Sequence, residues 1–316
     1  MLNEIVTEVS LRRKAEHCLD LPPVRTLAYP VYVGAETREM YNSFVADSAA
    51  EISGREVRVA HAADRLTKLL QVLSGFVIDS QKNYDLCDGG DTGEPCPNLL
   101  DCARLSINPY TPKCAVVQED PPKLTEFLDA QDRCDQVMDL FRSILATPDN
   151  KVIVWATFRA ELDMLDAAFQ KEGWFFVRVD GSTKDKVAAK NRFNSDPDCR
   201  IYLSQISTGV GITLNAANYT VFYNATFDLG DYIQAQKRND RIGQERPVTV
   251  YQVVVPGSVN EYIFRSLEKK EDISAALTNH IQCILCDRNK ECDAAGPSPF
   301  EEDCLYSRRE GKLRMR

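Results

Sequence analysis

The sequence predicts an α/β fold in which a parallel β-sheet carries helices on both of its faces. A continuous apolar run at 151–157 is typical of a strand that is buried on both sides. Short strand patterns then alternate with helical patterns as far as residue 255. Because the links between them are short, the connections fit crossovers within one parallel sheet.

The elements of this sheet follow in order along the chain. After the first strand, Leu162, Leu165 and Phe169 form one stripe of a helix. A turn at 180–182 leads into a helix at 183–194. The remaining strands are expected at 175–179, 200–204, 219–223 and 247–255. Ligands of such sheets bind beyond the carboxyl ends of the strands, so we expect the functional site there.

The residues that precede this sheet show a different pattern. An extended segment is expected at Val24–Val33, followed by a helix at 36–51. A second helix has a strong apolar stripe, and further helix is expected at 124–128 and around 137–141. We interpret these stripes as core packing. The stripe of the second helix consists of Ala62, Leu66, Leu69, Leu70 and Leu73.

Composition limits the classes of function. The chain has 316 residues, of which 44% are hydrophobic and 27% are charged, and its formal net charge is −9. Nucleic acid would therefore have to bind through local contacts, since the protein has no global positive field. No apolar run approaches the roughly 20 residues that span a bilayer, and residues 1–10 do not form a secretory signal. We expect a cytoplasmic protein with no membrane partner.

Eight of the eleven cysteines form two sets with the same spacing. Each set reads Cys-x5-Cys-x6-Pro-aromatic-x3-Cys and has one further cysteine upstream. Four thiolates suit a closed structural zinc site, whereas an iron–sulfur cluster and unliganded thiols are the alternatives. Cys18, Cys134 and Cys199 stand alone and are expected to be buried. The candidate metal ligands are Cys87, Cys96, Cys102 and Cys114 in the first set, and Cys283, Cys286, Cys292 and Cys304 in the second.

Two blocks near the end of the predicted sheet indicate phosphate chemistry. The first is 207–214, and the second, 234–244, places Gln234, Arg238 and Arg241 at positions i, i+4 and i+7. On a helix these three side chains would share one face. Arginine is well suited to stabilising charge on a transferring phosphoryl group, although a solvated charged helix face is the alternative. The sequence has no Gly-x4-Gly-Lys-Ser/Thr loop to hold a nucleotide.

Together these blocks resemble the second RecA-like lobe of superfamily-two helicases, in particular the Swi/Snf-type DNA translocases, over about residues 8–278. Two departures from that family are visible: Phe227-Asp228-Leu229 stands in place of Trp-Asn-Pro, and Gly209-Val210-Gly211 in place of a double glycine. The compact form with cysteine insertions suggests a phage version in a bacterial or phage-infected cytoplasm. The matching stretches are 69–76 (helical bridge), 151–158 (motif four), 180–183 (a turn), 207–214 (motif five) and 234–244 (motif six).

The resemblance implies a role for each matching residue. Arg238 and Arg241 would be arginine fingers at the γ-phosphate of ATP with Mg²⁺, and Gln234 would orient the nucleotide or its water. Gly209 and Gly211 would allow close backbone approach at the nucleotide cleft. Five hydroxyls would bond DNA phosphates without reading bases, with ordinary capping and turn bonding as the alternative. These hydroxyls belong to Thr157, Ser182, Ser207, Thr208 and Thr213.

The resemblance also implies a missing half, because the family's first lobe carries the phosphate-binding loop. The chain is therefore expected to be the C-terminal half of an ATP-dependent helicase or translocase, inactive alone and completed by a first lobe on a separate chain. Val24–Val33 is expected to return to that lobe's sheet, since otherwise it would be an unpaired edge strand. The expected divisions are 1–80 (post-first-lobe segment and bridge), 81–120 (cysteine-rich), 121–278 (RecA-like lobe) and 279–316 (cysteine-rich with a basic tail).

One reading from a different functional class stays open. The chain could be a non-enzymatic DNA-binding or regulatory module that contains zinc and a vestigial helicase lobe. Its zinc segments and its basic tail would then bind DNA. The basic residues of this tail are Arg308, Arg309, Lys312, Arg314 and Arg316.

Overall fold

The computed structural model describes residues 21–47, 49–52, 55–58, 62–79, 84–86, 115–117, 124–127, 131–209, 211–269, 306–307 and 312–313. The strands are β1 (Val24–Pro30), β2 (Ala49–Ile52), β3 (Arg55–Arg58), β4 (Phe76–Asp79), β5 (Tyr84–Leu86), β6 (Ala115–Val117), β7 (Leu124–Phe127), β8 (Val152–Ala156), β9 (Phe176–Val179), β10 (Ile201–Gln205), β11 (Tyr219–Phe222), β12 (Val248–Val254), β13 (Tyr306–Ser307) and β14 (Lys312–Leu313). The helices are α1 (Ala35–Asp47), α2 (Ala62–Leu73), α3 (Gln131–Leu145), α4 (Arg159–Lys171), α5 (Lys186–Ser195), α6 (Leu229–Gln236) and α7 (Val259–Lys269), and a 3-10 turn spans Ile206–Thr208.

Six strands form one parallel sheet in the order β1-β12-β11-β8-β10-β9. Strand β8 lies inside the sheet, and all five of its residues are buried. This burial explains why its sequence is a continuous apolar run and not an alternating one. The predicted α/β fold with a parallel sheet is confirmed.

Helices cover both faces of this sheet. On one face, Phe176 of β9 contacts Phe169 of α4, which in turn contacts Phe141 of α3 at a centroid distance of 5.1 Å. On the other face, the aromatic pairs Tyr202–Phe193 and Phe222–Tyr232 join β10 to α5 and β11 to α6. Edge-to-face and tilted aromatic contacts of this kind are favourable beyond their buried area. The apolar stripe of α2 is also buried, as predicted for Leu66, Leu69, Leu70 and Leu73.

The prediction that Val24–Val33 belongs to the sheet of another lobe is wrong. Strand β1 pairs in parallel with β12 from Val24↔Val248 to Pro30↔Val254, and the amide of Val31 continues the ladder to the Val254 carbonyl at 2.8 Å. The pairing satisfies backbone groups of β1 and moves the edge of the sheet outward by one strand. Because β1 now forms that edge, its side chains are largely exposed.

Three boundaries also differ from the sequence prediction. Residues 124–127 form strand β7, paired antiparallel with β4, and not a helix. Helix α1 ends at Asp47, and strand β2, which pairs antiparallel with β3, begins at Ala49. Helix α5 begins at Lys186, since the carboxylate of Asp185 accepts from the Ala188 amide at 2.8 Å and caps the first turn.

The cysteine predictions have two outcomes. Cys134 and Cys199 are free and buried, as expected, and burial raises the pKa of the Cys199 thiol to about 11. The eight candidate metal ligands and Cys18 lie outside the described residues. In the part of the chain that the structure covers, no cluster of three histidine, cysteine or acidic side chains could hold a metal ion. None of the helices in that part is long and apolar enough to cross a membrane.

Candidate functional site

Both predicted blocks lie at the carboxyl-end edge of the sheet. Residues 207–214 follow the end of β10 through the 3-10 turn, and residues 234–244 follow β11 by way of α6. The amide of Leu214 donates to the carbonyl of Arg238 at 2.9 Å and joins the two blocks. The sheet therefore brings together two segments that the sequence places twenty residues apart, where the topology of parallel sheets predicts a ligand site.

The prediction that Gln234, Arg238 and Arg241 share one helix face is wrong. Helix α6 ends at Gln236, and both arginines lie in the turns that follow it. The carbonyl of Arg238 accepts from Leu214 of the neighbouring segment, so it does not continue a helical ladder. Tertiary contacts, and not helical periodicity, set the positions of these side chains.

Arg238 links the two blocks from inside the protein. Its side chain is buried, and its Nη1 and Nη2 donate to the Ile212 carbonyl at 3.4 Å and to Gln234 Oε1 at 3.2 Å. Its Nε has no acceptor among the described residues. Burial lowers the pKa of this guanidinium, and the neighbouring charge of Arg241 lowers it further.

Arg241 is the more accessible of the two arginines. Its Nε donates to the Lys237 carbonyl at 3.0 Å and its Nη1 to Thr213 Oγ1 at 3.3 Å, while the side chain stays half-exposed. Within the described part of the chain its Nη2 donates to nothing, and neither does the exposed amide nitrogen of Gln234. Two sets of N–H donors are thus available to an acceptor such as a phosphate oxygen.

A rigid turn holds Arg241 in place. The buried amide of Gln244 donates to the carbonyls of Asn215, Ala217 and Asn239 at 3.2, 2.7 and 3.1 Å. Gly243 has φ +95°, and a Cβ there would lie 2.8 Å from the Asn215 side chain. No residue but glycine fits such a position without strain. Gln244 belongs to motif six, and its role in holding this turn is visible only in the structure.

The two glycines of the first block serve different purposes. A Cβ on Gly209 would meet Trp155 Cη2 at 2.8 Å, so this glycine allows the backbone to lie on the buried indole ring. Gly211 adopts φ +78° with open space around it, so only its backbone conformation requires glycine. The space beside Gly209 is thus occupied by the Trp155 ring of the lobe's own core.

Internal hydrogen bonds account for three of the five predicted hydroxyl contacts. The Thr157 hydroxyl donates to the Ala225 carbonyl at 3.0 Å. The Ser182 hydroxyl donates to the Asp180 carboxylate at 2.5 Å. The Thr208 hydroxyl donates to the Gln205 carbonyl at 2.7 Å. A hydroxyl has one proton, and a phosphate oxygen only accepts. The protons of Ser182 and Thr208 are used in local turn bonds, which is the alternative reading of these residues, and the proton of Thr157 is used in a tertiary bond to the loop after β11.

Two hydroxyls keep a proton for an outside acceptor. Thr213 accepts from Arg241, which leaves its own O–H to donate. Ser207 is exposed, and its hydroxyl has no partner among the residues that the structure describes. The Ser207 and Thr213 hydroxyls are therefore available as donors to a phosphate oxygen.

Residues 227–229, which replace the Trp-Asn-Pro of the family, still cap a helix. The carboxylate of Asp228 accepts from the Asp231 amide at 2.8 Å and caps α6. Asp and Asn are almost equally good at this position. Phe227 packs against the core, so the replacement of Trp-Asn-Pro preserves the start of the helix that leads to the arginines.

A buried carboxylate, which the sequence patterns do not reveal, lies beneath this edge. Glu161 Oε2 accepts from the amides of Thr157 and Phe158 at 2.8 and 2.9 Å. Its Oε1 accepts from Ser74 Oγ at 2.6 Å and Asn224 Nδ2 at 2.8 Å. All four hydrogen bonds are buried or part-buried, and one carboxylate thus joins α2, α4 and the loops after β8 and β11.

A buried arginine balances this carboxylate. Arg133 donates to Ser74 Oγ at 3.0 Å and to the Tyr223 carbonyl at 2.6 Å, and its guanidinium lies 4.6 Å from the Tyr223 ring centroid. Arg133 and Glu161 are both fully buried and share the Ser74 hydroxyl. Charged residues in polar helix patterns are normally read as solvent-facing, which is why sequence reasoning missed this pair.

Comparisons with known proteins identify a helicase C-terminal domain in this chain. The profile of the helicase conserved C-terminal domain matches residues 132–243. Helicase SWR1 of Cryptococcus neoformans var. neoformans is 32% identical over 246 residues, which cover 76% of this chain and 19% of that protein. The Caenorhabditis elegans homologue of a SWI/SNF-related regulator of chromatin containing DEAD/H box 1 is 29% identical over 153 residues, covering 48% of this chain and 15% of that protein.

A solved structure supports the fold. The C-terminal part of the Fun30 ATPase domain superposes with a TM-score of 0.51 at 17% identity, covering 78% of this chain and 89% of that one. The chain spans less than a fifth of the length of the two relatives named above. The family match, the relatives and the fold agree with the motifs at the carboxyl-end edge, and the chain contains the second RecA-like lobe of a superfamily-two helicase of the Swi/Snf type.

Proposed function

We propose that this lobe completes the ATP site of a DNA helicase or translocase, by presenting Arg241 to ATP and Mg²⁺ held on a first RecA-like lobe of a separate chain. One observation carries the proposal. Arg241 is half-exposed at the ligand edge of the sheet, fixed by Thr213 and the Lys237 carbonyl, with its Nη2 free among the described residues. A guanidinium fixed in this way is pre-organised for a phosphate group.

Arg238 and Gln234 complete the arrangement. Arg238 is the second proposed finger, and its buried guanidinium also ties the 207–214 segment to Gln234. The free amide nitrogen of Gln234 is positioned to donate to the nucleotide or to the attacking water. Closure of the two lobes around ATP would bring these donors to the γ-phosphate, and hydrolysis would release them, which couples chemistry to movement along DNA.

Contacts to the DNA backbone are the second part of the proposal. Ser207 and Thr213 retain hydroxyl protons that phosphate oxygens accept, and such contacts carry no sequence information. The net charge of −9 leaves little non-specific attraction, so binding depends on local donors. Sequence-independent contacts suit an enzyme that must move along any DNA.

The test is DNA-stimulated ATP turnover by this chain mixed with a first RecA-like lobe protein that carries the phosphate-binding loop, with the product of the adjacent reading frame tried first. Arg241→Ala should lower kcat by about 10³-fold or more, as loss of an arginine finger does. Arg142→Ala is the matched control. Arg142 lies in the last turn of α3, which leads to the start of β8 and therefore lies toward the edge of the sheet opposite the carboxyl ends. Turnover that is unchanged in Arg241→Ala, or absent with the wild-type pair, would refute the proposal.

A second experiment addresses the non-enzymatic alternative. Gel shifts compare the chain with and without residues 280–316, in the absence of a partner. Tight DNA binding that requires that segment and is unaffected by Arg238→Ala would favour a DNA-binding module with a vestigial helicase lobe. Binding that depends on the partner lobe and on ATP would support the translocase.

We also propose that the two cysteine sets each hold one structural zinc ion. The support is their shared spacing in the sequence. Metal analysis of the purified chain should give two zinc ions, and one after Cys96→Ser with Cys102→Ser. Iron with visible absorbance would instead indicate a cluster. The predicted phage origin and bacterial cytoplasm stay predictions, since the relatives named above come from a fungus and a nematode.

A further inference from the structure

A row of three buried side chains crosses the carboxyl ends of three neighbouring strands. Asn260 Nδ2 donates to Asn224 Oδ1 at 2.8 Å, and Asn224 Nδ2 donates to Glu161 Oε1 at 2.8 Å. These residues follow β12, β11 and β8 in that order, and the three strands lie side by side in the sheet. None of the three side chains is more than 1% exposed. Because a carboxylate only accepts, Glu161 sets the orientation of the Asn224 amide.

Each member of the row holds a backbone amide where a strand has ended. Asn260 Oδ1 accepts from the Val255 amide at 3.1 Å, and Asn224 Oδ1 accepts from the Ala225 amide at 2.9 Å. Glu161 does the same for the two amides that follow β8. Buried amides need an acceptor once the ladder of the sheet stops. The row therefore fixes the start of three loops at the ligand edge.

The loop that Asn224 fixes leads into the helix of the candidate site. Within this loop the Asp228 amide donates to Thr226 Oγ1 at 3.2 Å, and the Asp228 carboxylate caps α6. Helix α6 carries Gln234, whose Oε1 accepts from Arg238 Nη2 at 3.2 Å. Hydrogen bonds within the loop and one short helix thus connect Asn224 to the Gln234–Arg238 pair.

We propose that Asn224 is a positioning residue for the reaction, because it fixes the loop before α6 and thereby sets the orientation of Gln234 and Arg238 toward the nucleotide. The inference rests on the proposed function, since it concerns the same pair of side chains. Asn224 is 1% exposed, so it acts through the loop and not by contact with a ligand. A misplacement of about 1 Å can cost about 10²-fold in rate, so loss of Asn224 should lower kcat.

Asn218 offers a matched control at the other end of the same strand. It directly precedes β11 and is also buried. Its Oδ1 accepts from the Lys151 amide at 3.2 Å, and its Nδ2 donates to Asn150 Oδ1 at 2.9 Å. Asn218 and Asn224 thus both bind a backbone amide and an asparagine side chain, but the side-chain bonds of Asn218 run to the 150–151 segment and not toward α6.

The experiment measures kcat and the KM for ATP of this chain with a saturating concentration of a first RecA-like lobe protein and with duplex DNA. Each rate is divided by the folded fraction of the variant, which urea unfolding provides. Asn224→Ala should lower kcat by about ten- to a hundredfold. The KM for ATP should stay within about threefold of wild type, because the first lobe holds the nucleotide. Asn218→Ala, treated in the same way, should keep the wild-type kcat.

A double-mutant cycle distinguishes positioning from a loss of stability. If Asn224 acts through the Gln234–Arg238 pair, Asn224→Ala should lower kcat by only about threefold or less in a Gln234→Ala background, because half of the pair is then gone. A purely structural effect would lower kcat by the same factor in both backgrounds.

The outcomes separate this inference from the proposed function. If Arg241→Ala abolishes turnover while Asn224→Ala keeps the wild-type kcat, the positioning role is refuted and the proposed function stands. Equal losses in Asn218→Ala and Asn224→Ala, or equal factors in both arms of the cycle, refute the positioning role as well. If Arg241→Ala has no effect on turnover, both proposals fail.

Asn260→Ala takes the place of Asn224→Ala if the latter does not fold. It removes the donor to Asn224 Oδ1 and leaves the contact with Glu161 in place. The expected result is a smaller loss of kcat, which is again reduced in the Gln234→Ala background. An unchanged kcat, or a loss of the same factor in both backgrounds, would overturn the inference.

Discussion

The buried carboxylate of Glu161 gives the sharpest prediction for stability. Its four hydrogen-bond donors are the amides of Thr157 and Phe158, the Ser74 hydroxyl and the Asn224 amide. In Glu161→Gln one carboxylate oxygen becomes an NH₂ group of almost the same size. If the new NH₂ group faces the loop, the Thr157 and Phe158 amides lose their acceptor. If it faces the other way, the Ser74 hydroxyl can rotate, but the Asn224 amide faces a donor.

The cost can be worked from this geometry. A buried donor left without an acceptor costs about 1–3 kcal/mol, and the orientation with the fewest such donors sets the loss at about that size. The Arg133 charge also loses its buried counter-charge, which adds to the penalty. Since whole domains are stable by only about 5–15 kcal/mol, the substitution should remove a large part of the stability of this lobe.

Urea unfolding followed by tryptophan fluorescence measures this loss. The chain has two tryptophans, and Trp155 is fully buried in the sheet next to the loop that Glu161 holds. Glu172→Gln is the matched control, because Glu172 follows the C-terminus of the same helix and pairs with Arg142 at the surface. We expect the control to unfold close to wild type. Hydrogen exchange at Thr157 and Phe158 should accelerate only in Glu161→Gln.

Three results would contradict this explanation of the Glu161 network. If Glu161→Gln unfolds within about 1 kcal/mol of wild type, the carboxylate is not the shared acceptor that the geometry indicates. Faster exchange at Thr157 with unchanged stability would place its effect in the loop alone. Equal destabilisation by Glu172→Gln would mean that charge at this helix, and not the buried network, is responsible.

Three further predictions concern the same lobe. Gly209→Ala should destabilise by about 1–3 kcal/mol, measured by urea unfolding, because its Cβ would meet the Trp155 ring at 2.8 Å; an unchanged midpoint would contradict this. Asp228→Ala should cost about 1 kcal/mol through loss of the cap on the Asp231 amide, whereas Asp228→Asn should cost little; equal costs would rule out capping. Burial raises the pKa of Cys199 to about 11, so the thiol contributes stability that is fully present below its unfolded pKa, near 8.5, and is lost as pH rises to about 11. Cys199→Ala should therefore weaken the dependence of the unfolding midpoint on pH over that range, and an unaltered dependence would contradict the burial argument.

Most of the sheet could be predicted from local patterns. Strand β8 and the stripe of α4 follow from periodicity, because a buried strand needs a continuous apolar run and a helix needs one apolar face. Residues 124–127 were predicted as helix and form β7, since a four-residue apolar pattern fits either element. Motif six has helical spacing, but helix α6 ends at Gln236, and the Arg238 carbonyl accepts from the Leu214 amide.

The sequence by itself determined the class of fold, the two blocks at its ligand edge and the residue types that phosphate chemistry requires. Only the tertiary structure decided that β1 pairs with β12 and that Glu161 is buried. It also decided that the Thr157 hydroxyl donates to the Ala225 carbonyl, whereas the Thr213 hydroxyl accepts from Arg241 and can still donate. The physical reason is the same in each case. Periodicity records which side chains prefer the core, whereas the choice of a hydrogen-bond partner depends on groups that are distant in sequence and meet only when the sheet has formed.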